Sequence, residues 1–168
     1  MNSLRLPCVA IAAIVLMTTF ASAQAPASKP APLIVGVWKL NTDKSNLPPP
    51  PPNFLEIRQY RLRDDGFLVG LLITSNAQGY HYLQFTAKSD GQDYPEYSDD
   101  LLAEQLATGK QTIRTYSERI IDDHVTEWID KANGRITAQG KKTISQDGKT
   151  LTITVDGARS QPRVYDRQ

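Results

Sequence analysis

The chain is poor in the residues from which most catalytic and metal sites are built. Its 168 residues include one cysteine, Cys8, and two histidines, His81 and His124. Cys8 lies in the opening apolar segment, so the rest of the chain has no disulfide, no thiol nucleophile and no cysteine metal ligand. A two-histidine metal site would need His81 and His124 to face each other and an acid such as Asp123 or Glu127 to complete it. No HExxH, GxSxG, phosphate-binding loop or Gly-rich dinucleotide pattern occurs. The expectation is therefore a protein without catalytic residues, metal or cofactor. An excess of one charge is also missing: 19 basic residues face 18 acidic ones, spread along the chain in ones and twos. Nucleic-acid and anionic-membrane binders normally cluster positive charge, so neither partner is expected.

Long apolar runs are scarce as well. The run from Cys8 to Phe20 is interrupted by Thr18 and Thr19 and falls short of the roughly 18 residues that a membrane span needs. Arg5 precedes it and Ala21-Ser22-Ala23 follows, which are the three parts of a cleavable export signal. Residues 1–23 are read as that signal, residues 24–32 (QAPASKPAP) as a Pro-rich tether and residues 33–168 as one domain. The expected location is the periplasm or the medium, with no stable membrane insertion after cleavage.

Turn signals punctuate the domain at strand-length intervals: Asp64-Asp65-Gly66, Asn76 to Gly79, Asp90-Gly91, Asp122-Asp123, Asn133-Gly134, Asp147-Gly148 and Asp156-Gly157. Between them lie segments rich in β-branched and aromatic residues. Strands are expected at 34–40, 54–63, 67–75, 80–88, 111–121, 124–131, 135–145, 149–156 and 162–167. Eight or nine strands joined by hairpins suit an all-β, antiparallel up-and-down barrel, although a two-sheet sandwich has similar spacing. The gap from Gly91 to Gln111 carries a short helix near 99–108, with acids at its start and Gly109 as its stop. That helix reads either as a lid or as a plug that packs Leu102 and Leu106 on the core. Pro48 to Pro52 reads as a spacer or barrel-end cover, or as an extended motif for a partner.

Gly36-Val37-Trp38 resembles the Gly-x-Trp opening of lipocalin-like barrels. The segments GVWKLNTDKS, FTAKSDGQDYP and KTISQDGKTLTIT, together with the Pro-rich stretch, are similar to a group of small exported bacterial proteins with a lipocalin-like fold. The resemblance implies a fold and no activity. It also implies that Trp38 closes one barrel end and packs against a basic side chain of the last strand, for which Arg163 and Arg167 both qualify.

A small barrel either fills its centre with side chains or leaves room for one ligand. The candidate lining residues are Tyr60, Phe67, Tyr80, Tyr82, Phe85, Tyr116 and Trp128, each of which can equally be packed core. The functional expectation is the binding of a small, largely apolar molecule in a cavity that reaches solvent near residues 92–110. The alternative is a non-catalytic module that docks on another exported protein.

Overall fold

The computed structural model describes residues 31–157 and 161–168. The expected signal at 1–23 and most of the tether at 24–32 lie outside those residues. Ten antiparallel strands close into one barrel: β1 (Gly36–Leu40), β2 (Leu55–Leu62), β3 (Leu68–Asn76), β4 (Gly79–Ala87), β5 (Tyr94–Ser98), β6 (Arg114–Ile120), β7 (Val125–Ala132), β8 (Arg135–Ile144), β9 (Thr150–Val155) and β10 (Arg163–Arg167). Each pairs with its neighbour in sequence. The ring closes where β1 meets β10, through Trp38↔Arg167 and Leu40↔Tyr165. Closure leaves no unpaired edge, which decides between barrel and sandwich.

Nine of these strands lie where the turn signals place them. The tenth, β5, lies in the gap from Gly91 to Gln111, where only the short helix is expected. It turns Tyr94, Glu96 and Ser98 inward and carries Pro95, which cannot donate to a ladder. Neither hydrophobic alternation nor strand propensity marks it. Asn133 and Gly134 both adopt positive φ, 50° and 77°, as the hairpin between β7 and β8 requires.

The helix α1 (Asp99–Thr108) follows β5 directly and stops at Gly109, whose φ is 68°. It is not a plug. None of its residues is buried, Leu102 and Leu106 are exposed, and its contacts are mainly with β4 and β5 on the outside of the rim.

Trp38 is fully buried at the barrel end where β1 begins. Its Nε1 donates to Ile34 O at 2.8 Å, and the Arg167 guanidinium lies 4.2 Å from the ring centroid. Arg167 also donates to the carbonyls of Gly148 and Val35, both at 2.7 Å, and to that of Leu33. Arg167, rather than Arg163, is therefore the tryptophan's partner. Gly36 suits the position beside it, because its φ of 147° is one that other residues rarely adopt and a Cβ there would also crowd Arg167 Nη1 at 2.6 Å.

Candidate functional site

Strand alternation decides what enters the barrel. On β2 the inward set is Glu56, Arg58 and Tyr60; on β6 it is Arg114, Tyr116 and Glu118; on β7 it is Trp128 and Asp130; on β8 it includes Lys142. The interior thus combines aromatic rings with ionisable groups. At its centre Phe85 stacks on Tyr116, with ring centroids 3.7 Å apart, and Tyr60 lies 6.4 Å from Phe85. Phe85 has this room only because Gly70 faces it: a Cβ at Gly70 would fall 2.2 Å from the ring.

The ammonium of Lys142 sits 4.8, 5.2 and 4.9 Å from the ring centroids of Tyr60, Phe85 and Tyr116. It donates to the Tyr116 hydroxyl and to Glu118 Oε2 at 3.1 Å. Tyr116 donates to the same carboxylate at 2.6 Å, and Ser89 donates to its other oxygen at 2.5 Å. Burial works against the Glu118 charge, but Lys142 and these hydrogen bonds outweigh it and hold the pKa below the usual range. Burial, with Glu118 beside it, pushes the Tyr116 phenol well up.

A second charged cluster lies between β2 and β10. Buried Glu56 accepts from Arg163 and from the Tyr165 hydroxyl, and Arg58 Nε donates to that hydroxyl at 2.9 Å. On the other side, Glu96 is almost wholly buried. Arg114 Nη2 lies 2.8 Å from Glu96 Oε1 without the alignment of a hydrogen bond, and that oxygen has no other partner. Asp130 Oδ1 and Trp128 Nε1 are likewise buried and unpartnered. Desolvation, reinforced by Asp130 and opposed by Arg114, raises the Glu96 pKa to about 7. Desolvation also raises that of Asp130, despite Arg114, Lys142 and Arg58.

Two cavities flank the central aromatic layer. The larger, about 490 Å³, lies at the Trp38 end between residues 31–34, Leu62 to Leu68, Ile120 to His124 and Ile144, with Glu118 and Lys142 also in its wall. Its rim exposes Leu33, Leu62 and Ile120. The smaller, about 170 Å³, lies toward the β9–β10 connection, and its wall includes Arg58, Glu96, Trp128, Asp130 and Arg163. Lys142 is the one residue common to both walls.

The candidate residues from the sequence divide accordingly. Phe85, Tyr116 and Trp128 line the smaller cavity, and Tyr60 is buried in the layer between the two. Tyr80 and Tyr82 do not enter the barrel: they stand out of phase with Phe85 on β4, so the two-residue period sends them to the outer face, where both are exposed. Phe67 lines neither cavity. It packs edge-on against Tyr94 at 5.7 Å and under Lys88 at the β2–β3 turn. Of residues 92–110 the larger cavity has none in its wall and the smaller has Glu96, while Ser98, Asp99 and Asp100 line a further cleft of about 260 Å³ with Leu72, His81, Leu83 and Arg114. His81 bonds Asp99 at 2.7 Å beside α1, whereas His124 bonds Ile144 O at the opposite barrel end, so the two histidines do not converge. No family model and no curated protein matches the chain.

Sequence reasoning missed the inward charges, because a charged residue on a strand reads as solvent-facing. One signal was present: Tyr60, Tyr116 and Trp128 each stand two residues from an ionisable side chain and so share its face.

Proposed function

We propose that this is an exported lipocalin-like protein that binds a small, largely apolar molecule in the larger cavity. The observation that carries this reading is the 490 Å³ volume behind a rim of exposed Leu33, Leu62 and Ile120. Volumes of this order, lined by apolar side chains with a few polar groups, suit small-molecule ligands. Leu68 and Ile144 add apolar wall, while Ser89, His124 and Lys142 supply polar groups that could orient one end of the guest. Export is supported by the signal pattern at residues 1–23, and the Trp38–Arg167 stack agrees with the lipocalin-like resemblance.

The test is native mass spectrometry of protein isolated from its own host, combined with titration of N-phenyl-1-naphthylamine. A co-purifying apolar compound, or probe binding lost in Ile120→Glu, is the expected result. Protein that arrives empty and leaves the probe's fluorescence unchanged defeats the reading.

A further inference from the structure

We propose that the smaller chamber is a second ligand site, which takes a small zwitterion with its ammonium at Glu96 and Asp130 and its carboxylate at Arg58 and Arg163.

The topology supplies the first argument. In the ring of ten strands β1 and β6 are diametrically opposed. Arg58 and Arg163 come from β2 and β10, the two neighbours of β1; Glu96 and Asp130 come from β5 and β7, the two neighbours of β6. One wall of the chamber is therefore basic and the facing wall acidic.

Charge matching supplies the second. At the basic wall one carboxylate, Glu56, serves two guanidinium groups. At the acidic wall Arg114 lies 2.8 Å from Glu96 and also faces Asp100 at 3.8 Å, while Asp130 feels Arg114, Lys142 and Arg58 without a salt bridge to any of them. Lys142 is matched by Glu118. The two walls thus carry opposite surpluses. A ligand with one charge would satisfy one wall and leave the other wall's surplus unmatched. A dipolar ligand satisfies both and adds no net charge.

The unpartnered atoms supply the third. Glu96 Oε1 and Asp130 Oδ1 want donors, which an ammonium provides three times over. Trp128 Nε1 is a third unpartnered atom, on the acidic wall two residues from Asp130. Buried polar atoms without partners are uncommon, and all three belong to residues in the wall of this one chamber. The raised pKa values of both acids agree: burial holds each proton more tightly than usual, and the cations nearby do not offset it. Size limits the guest. A cavity of about 150 Å³ accepts benzene, so the 170 Å³ here admits a body of one small ring or a short alkyl chain.

The full chain is titrated calorimetrically near neutral pH with 6-aminohexanoate, 4-aminobutanoate and leucine, and with hexylamine and hexanoate as single-charge analogues. At least one zwitterion should bind about tenfold or more tightly than either analogue, a difference of roughly 1.4 kcal/mol. Asp130→Asn and the half-exposed Arg163→Gln should each weaken it severalfold, and Trp128 fluorescence should shift on binding. Saturation of the larger cavity with the apolar probe should leave the affinity unchanged, which separates this site from the one proposed above. The proposal is overturned if no zwitterion binds, if hexylamine or hexanoate matches the best of them, if binding survives both substitutions, or if the apolar probe competes.

Discussion

An ammonium taken out of water needs a carboxylate, hydrogen-bond acceptors and polarisable surroundings, and Lys142 has all three in Glu118, the Tyr116 hydroxyl and three ring faces. Truncating it strands the Glu118 charge. Lys142→Ala should cost about 3–5 kcal/mol in denaturant unfolding, and Lys142→Met combined with Glu118→Gln should recover most of that loss. Glu96 behaves oppositely. Its raised pKa means that folding favours the protonated form, so the stability it contributes is present at low pH and lost as pH rises through about 7. At roughly 1.4 kcal/mol per pKa unit, thermal unfolding should detect a fall of about 2–3 kcal/mol between about pH 5 and pH 8. Glu96→Gln should flatten that fall while changing little at the acid end. A slope identical to that of the parent protein would contradict the assignment. These two residues also mark what a sequence does not reveal, since nothing local distinguishes a lysine or glutamate aimed into a barrel from one aimed at water.

The strands and turns were legible because their chemistry is local. Asn133-Gly134 specifies its hairpin through positive φ at both positions, and β9 alternates plainly. β2 was legible as a strand but misleading as to its face: Leu55 and Ile57 suggest one core face, whereas Tyr60 goes inward with Glu56 and Arg58. β5 escaped notice for the same reason, with Glu96 and Ser98 inward and Pro95 outward. The position of α1 was readable from its acids and Gly109, but its packing was not, because a Leu102/Leu106 stripe looks the same whether covered or bare. Leu102→Ser with Leu106→Ser should therefore change stability by no more than about 0.5 kcal/mol per site in urea titrations. By contrast, Gly70→Ala should cost roughly 1–3 kcal/mol, because the added methyl group displaces Phe85 from its stack.

Taken as a whole, the barrel stacks three zones along its axis: the Trp38 end with the larger cavity, the Tyr60–Phe85–Tyr116 layer, and the smaller chamber with its opposed charges. The Trp38–Arg167 stack and the three carbonyls that Arg167 reaches join the first zone to β10. Arg167→Ala should lower stability by about 2–4 kcal/mol, with the unfolding midpoint shifting at constant m-value, because charge-assisted hydrogen bonds and a cation–π contact are lost together.

The junction of β1 with β10 also sets an order of events in time. Residues 36–40 find their second partner only among residues 163–167, the tenth strand in chain order. A growing chain can form its hairpins one after another, but it must hold an open, unpaired β1 edge until β10 emerges. The ring is complete only once β10 is present, and removal of that strand alone should leave a sheet with two free edges and a strong tendency to associate.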